Sequence, residues 1–249
     1  MEQPVNDQVL NFPRFFVSSP TPCPYLQGRV ERKIYTDLSG ADAAPLNDAL
    51  SQAGFRRSQN VAYRPACDGC AACVSVRVPA GRFAANRTMR RIQNYNNDLV
   101  AERRPAWATE EQYLLLRKYL ETRHPEGGMA EMESGDYAEM VEASPVNTFL
   151  IEYRRKTSSR NEVGELVAVA LTDLMADGLS MVYSFFDTDL DRRSLGTFMV
   201  LQHIEMARKL GRPYVYLGYW VAGSPKMDYK IKFQPLEKLA PDGWQPVQA

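Results

Sequence analysis

Three cysteines in seven residues are the first feature with chemical potential: Cys67-Asp-Gly-Cys70-Ala-Ala-Cys73, with a fourth, Cys23, far upstream. Thiolates at this spacing can converge on a zinc ion or an iron–sulfur cluster, with Cys23 as fourth ligand. Packed reduced thiols and a reversible disulfide are the other two readings of such a run. The second feature is a charge asymmetry hidden in a balanced total of 30 basic and 30 acidic residues. From Gly54 to Arg104 there are ten arginines and no lysine, against Asp68, Asp98 and Glu102 only. Arginine without lysine suits bidentate binding of phosphate or carboxylate. From His124 to Pro145 the sign reverses, with six acids and no Lys or Arg.

The elements that must carry these residues follow from periodicity. The 249 residues are 45% hydrophobic and 24% charged, which excludes a disordered, collagenous or coiled-coil chain. No stretch reaches the roughly 18 apolar residues of a membrane span, and Met1–Leu10 lacks the basic start and apolar core of a secretory signal. A cytoplasmic protein with no membrane partner is expected. Residues 1–28 are broken by five prolines and read as irregular. Cys73–Pro79 alternates like a half-buried strand, and Asn86–Asn97 reads as a helix capped by Asn86. Asp98–Arg104 reads as a strand, Thr109–Arg123 as an amphipathic helix, and Ser134–Ala143 as a second helix capped by Ser134. Three strands follow, Val146–Arg154, Leu166–Met175 and Leu179–Asp187, then a helix over Ser194–Leu210 and a short strand, Tyr214–Leu217. The expected class is α+β. Residues 1–95 form a smaller N-terminal domain with the cysteines and the arginine-rich face, and residues 96–249 a mixed sheet flanked by helices.

The order of elements in 96–249 resembles the GNAT acetyltransferase architecture. In that family a Q/R-x-x-G-x-G/A loop binds pyrophosphate at a helix start. Here the match is Arg193-Ser-Leu-Gly196-Thr-Phe198, with Phe198 where Gly or Ala is wanted. An acetyl-CoA-dependent N-acetyltransferase is therefore the alternative reading rather than the first.

A second resemblance covers roughly residues 12–245. Cys23-Pro-Tyr-Leu, Arg29-x-Glu31-Arg32-Lys33, Gly54-Phe-Arg-Arg-Ser-Gln-Asn60, Tyr63-Arg-Pro65 and the cysteine run are its N-terminal motifs. Arg123-His-Pro-Glu-Gly-Gly-Met129, Asp177 to Ser184, Leu217-Gly-Tyr-Trp-Val221 and Ser224 to Lys230 continue it. Together they resemble the bacterial leucyl-tRNA–protein transferases of the arginyl-tRNA–protein transferase family. The resemblance implies transfer of leucine from leucyl-tRNA to the α-amine of proteins beginning with Asp or Glu, marking them for degradation. It implies no cofactor for the chemistry.

Such a reaction is acyl transfer from an activated ester. Holding an amine against the carbonyl contributes roughly 7–11 kcal/mol, so no strong nucleophile on the enzyme is needed. The Tyr183 hydroxyl and the helix start at Gly196 are candidate donors to the oxyanion or substrate, and Asp173 and Asp187, with Asp228, are candidate bases. Recognition of an acidic acceptor calls for a fixed cation, among Arg56, Arg57, Arg64, Lys226 and Lys230. Arg87, Arg90 and Arg91 would meet tRNA phosphates. His203, mid-helix, reads as packed. A metal-sensing RNA-binding module is the non-enzymatic reading of the same cysteines and arginines.

Overall fold

The computed structural model describes residues 13–125, 127–159 and 162–247. In chain order the elements are β1 (Phe16–Val17), β2 (Thr21–Pro22), β3 (Val30–Glu31), β4 (Lys33–Asp37), α1 (Ala43–Gln52), β5 (Arg56–Ser58), β6 (Val61–Pro65) and β7 (Val74–Pro79). Then come α2 (Arg87–Tyr95), β8 (Leu99–Pro105), α3 (Glu110–Arg123), α4 (Ser134–Glu142), β9 (Thr148–Arg155), β10 (Leu166–Leu174) and β11 (Gly178–Phe186). The chain closes with α5 (Leu195–Lys209), β12 (Tyr214–Trp220), β13 (Glu237–Ala240) and β14 (Gly243–Pro246).

An eight-stranded mixed sheet runs β14-β13-β7-β12-β11-β10-β9-β8. Only β11 and β12 are parallel neighbours. The apolar run of β10 is buried throughout because helices cover both faces of the sheet. On one face α3 and α4 lay Leu115, Leu116, Leu120, Tyr137 and Val141 against Leu150, Leu166, Val169 and Leu171. On the other, α5 packs Leu195, Phe198, Met199 and Ile204 with Met89 of α2 against Ile151, Ala168 and Val215. Leu116 is fully buried, and truncating such a leucine to Ala costs about 2–5 kcal/mol. This is the mixed sheet flanked by helices that the element order implies.

Local signals set the helix ends. Thr109 and Gln112 form a reciprocal capping box on α3, and the Asn86 side chain accepts from the Met89 amide at the start of α2. For α4 the cap is one residue earlier than expected, because Glu133, not Ser134, closes a box with Asp136.

The N-terminal part builds its own four-stranded sheet, β1-β4-β6-β5, beside α1. Strand β7, from the segment expected in the N-terminal domain, instead lies inside the large sheet between β12 and β13. Among the described residues no helix is long and apolar enough to cross a membrane.

Candidate active site at the parting of two strands

The parallel pairing of β11 and β12 extends only from Gly178↔Tyr214 to Ser180↔Tyr216, and beyond it the strands part. Each strand carries an irregularity just past that point. Opposite β10, Leu171 faces Tyr183 and Thr172 faces Met181, so Val182 is the extra residue of a bulge. Opposite β7, Arg77 faces Tyr216 and Val76 faces Gly218, so Leu217 is the extra residue. Bulges leave carbonyls without ladder partners. The guanidinium of Arg56, from β5 of the small sheet, fills the gap. Its Nη2 donates to the carbonyls of Met181 (2.8 Å) and Val182 (3.0 Å), and its Nη1 to Leu217 (3.2 Å).

Gly218 makes room for that guanidinium. Its φ is +75°, and a Cβ there would lie 1.1 Å from Arg56 Nη1. Both the left-handed backbone and the close approach require glycine. An isolated Gly within the aromatic run Tyr-Leu-Gly-Tyr-Trp is the sequence signal that could have marked this bulge.

The turn after β12 supplies the next wall. Lys230 lies in the 3-10 segment Asp228–Lys232 and is 4% exposed. Its Nζ donates to the Tyr219 carbonyl and lies 3.3 Å from Met227 Sδ. Burial, and then the neighbouring Arg56 charge, hold its ammonium well below the usual lysine range. Tyr219 is fixed in turn by its hydroxyl, whose single hydrogen is shared between the carbonyls of Gly54 (3.1 Å) and Tyr63 (3.0 Å).

Facing this wall is a cluster at the end of α3. Tyr119 meets Phe186 and His124 edge-on, at 5.1 and 5.6 Å between ring centroids. Tyr183, half-buried on the free stretch of β11, and Tyr229, beside Lys230, are both electrostatic neighbours of Tyr119. Burial pushes the Tyr183 phenol above its usual range, so it stays a hydrogen-bond donor at neutral pH. His124 is lowered by burial, then by Lys226 and Arg123. Lys226 is exposed and makes no hydrogen bond or ion pair among the described residues. The cleft is thus lined by cations and aromatic rings, a chemistry suited to carboxylate, phosphate and nucleobase.

The other expected site residues are committed elsewhere. Arg57 and Asp173 bind each other in a bidentate pair, both bonds 2.7 Å and both side chains 1% exposed. Thr148 also donates to Asp173. This pair joins β5 to β10, so Asp173 is not free to act as a base nor Arg57 to receive a substrate carboxylate. Arg64 is exposed, bonded to the Ala53 carbonyl and stacked 5.2 Å over Phe55. Asp187 closes the turn after β11 through the Asp189 amide and pairs with Lys118 at 2.6 Å. Asp228 accepts from the Gly223 amide. Gly196 opens α5 against the Phe186 ring, while Arg193 of the same loop forms a bidentate pair with Asp98. His203 is fully buried: its Nδ1–H donates to the Met199 carbonyl, so Nε2 accepts from Thr172.

The cysteines are near neighbours without forming a ligand set. All four are free, and Cys73 is pushed up to about 11 by burial first and then by Cys23, Cys67 and Cys70. The Cys67 thiol lies 3.7 Å from the Arg32 carbonyl. Among the described residues no group of three or more His, Cys, Asp or Glu is disposed to hold a metal ion. The zinc or iron–sulfur ligation expected of Cys23, Cys67, Cys70 and Cys73 does not fit this arrangement.

Comparison with known proteins identifies an aminoacyl-tRNA–protein transferase. Residues 21–91 match the model of the arginine-tRNA-protein transferase N terminus, and residues 111–240 that of its C terminus. This chain belongs to the arginine-tRNA-protein transferase family. It is 59% identical over 239 residues to an aspartate/glutamate leucyltransferase of Afipia carboxidovorans, covering 96% of this chain and 95% of the relative. It is 57% identical over 234 residues to a protein of the same name from Sphingopyxis alaskensis, covering 94% and 91%. A crystal structure of FemX superposes over 81% of this chain and 67% of its own, with 10% identity and a TM-score of 0.49.

Proposed function

We propose that this enzyme transfers leucine from leucyl-tRNA to the α-amino group of proteins whose first residue is Asp or Glu. The observation that carries the reading is Arg56, held in the cleft by three backbone carbonyls with no carboxylate bonded to it among the described residues. A cation so fixed and so lacking an anion is ready for the acidic side chain of an acceptor. The names borne by the close relatives support the same donor and acceptors.

In this reading the acceptor amine lies beside the leucyl ester where β11 and β12 part, next to the Arg56 guanidinium that fills the gap between them. Attack on the ester carbonyl produces an oxyanion, which the Tyr183 hydroxyl would stabilise; its collapse forms the peptide bond and expels the terminal ribose oxygen of the tRNA, which takes up the proton the amine gives up. The α-ammonium, with an ordinary pKa of about 7.7–8.0, loses its proton near neutral pH with little help. The aromatic rings of Tyr119, Phe186 and Tyr229 offer stacking surface to the terminal adenosine. Arg87, Arg90 and Arg91 are exposed on α2, which has no acidic residue, and would meet tRNA phosphates. A cytoplasmic location accords with these substrates.

The acetyl-CoA alternative meets two obstacles. Arg193 is turned to Asp98, and Phe198 is buried in the core. The test is to offer purified enzyme an Asp-first peptide with labelled leucyl-tRNA or labelled acetyl-CoA. Leucine on the peptide supports the proposal; acetyl transfer without leucyl transfer rejects it.

A further inference from the structure

Lys230 is hard to explain as a structural residue. A buried ammonium without a counter-ion is costly, and a Met or Leu would fill the same space more cheaply. The charged and titratable groups around it are Arg56 from β5, Tyr219 from β12, Tyr229 on its own turn with the ring 5.8 Å from Nζ, and Tyr119 of α3 beyond Tyr229. No acid is bonded or ion-paired to Lys230 or Arg56 among the described residues. The two neighbours of Nζ, the Tyr219 carbonyl and Met227 Sδ, match the two hydrogens of a neutral amine, whereas an ammonium has three. Arg56 likewise has donors to spare: Nη2 uses both its hydrogens and Nη1 one, leaving Nε–H and one Nη1–H.

Resting on the proposed function, we infer that Arg56 and Lys230 together receive the side-chain carboxylate of the acceptor, and that its arrival brings one proton from solvent onto Lys230 Nζ. Selection of acidic acceptors is then proton-linked. In the free enzyme burial and the permanent Arg56 cation disfavour the ammonium; a carboxylate between them favours it by supplying a charged partner. An amide in the same place offers no charge, draws no proton, and leaves both donors facing a weak acceptor. By linkage, affinity for Asp-first peptides rises as pH falls, by up to tenfold per pH unit, between the free and bound titrations of Lys230.

The test is calorimetric titration of the tRNA-free enzyme with an Asp-first peptide at pH 7, in buffers of different ionisation enthalpy. The expected uptake is close to one proton per peptide in excess of an Asn-first peptide, which carries the same α-amine. Lys230→Met should abolish that excess. No excess in the wild type, or an excess retained by Lys230→Met, overturns the inference. Should that variant fail to fold, the wild-type protein carrying carbon-13 lysine decides. One Cε resonance should move from its neutral to its charged position when the Asp peptide binds, and an unmoved spectrum refutes the idea. If Asp peptides accept leucine but bind without proton uptake, this inference alone fails. If they neither bind nor accept leucine, the proposed function fails with it.

Discussion

Gly218→Ala isolates the contact on which the cleft depends. Two costs are added at once. The left-handed φ of +75° penalises a non-glycine residue by about 1–2 kcal/mol. The new Cβ would sit 1.1 Å from Arg56 Nη1, so the guanidinium must leave. That strips partners from the carbonyls of Met181, Val182 and Leu217. At about 1 kcal/mol for each bond, with water replacing some of the loss, the eviction adds about 2–3 kcal/mol. The sum, about 3–5 kcal/mol, is a large share of a typical stability of 5–15 kcal/mol. At about 2–4 °C per kcal/mol, Tm should fall by roughly 6–20 °C. The decisive assay is a double-mutant cycle by urea unfolding. In an Arg56→Ala background the same glycine substitution should cost only the backbone portion, giving a coupling of about 2 kcal/mol or more. Costs that add within about 0.5 kcal/mol would show that Gly218 does not act through Arg56.

Three further outcomes are expected. Replacing Arg87, Arg90 and Arg91 together by Gln should weaken tRNA binding and reduce the slope of log affinity against log salt by about 2; an unchanged slope would move the tRNA elsewhere. Asp173→Asn should destabilise the fold by about 3–5 kcal/mol, because it leaves the Arg57 charge buried and unpaired, while leaving the ratio of rates on Asp- and Asn-first peptides intact; a collapsed ratio would return the pair to the site. His203 is lowered to about 4 by burial, so the unfolded chain binds its proton first, and stability present above about pH 6.5 is lost as pH falls towards 4, by about 3 kcal/mol in all. His203→Gln should flatten that part of the pH–stability curve, and an unaltered curve would refute the assignment.

Much of the framework was legible because it rests on local signals. The Asn86 and Thr109 caps, the apolar strands β9 to β11 and the Ala-Asp-Gly turn between β10 and β11 are written in contiguous residues. The site was legible in residue type but less so in assignment. Arg56 and Arg57 are adjacent in a strand, so they point to opposite sides; one reaches the parted strands and the other a buried Asp173 that lies 116 residues away in sequence. Only the tertiary pairing tells them apart. The cysteine spacing was compatible with ligation, packing or a reversible disulfide; all four thiols are free, and among the described residues no group is disposed to hold a metal ion. The N-terminal sheet escaped notice because its strands are two to five residues long and half-exposed, with little periodicity to read.

The central claim is that the acceptor's acidic side chain is chosen at Arg56, in the gap between β11 and β12. The most direct measurement is the rate of leucine transfer from labelled leucyl-tRNA to peptides differing only in a first residue of Asp or Asn, for the wild type and for Arg56→Ala. A half-buried, fixed cation facing an amide instead of a carboxylate loses about 2–5 kcal/mol, so the wild-type Asp/Asn ratio should be about 30 or more. In Arg56→Ala the ratio should fall towards one, with Arg56→Lys restoring it only in part because the forked geometry is lost. Equal wild-type rates on the two peptides, or a ratio that survives in Arg56→Ala, would contradict the account.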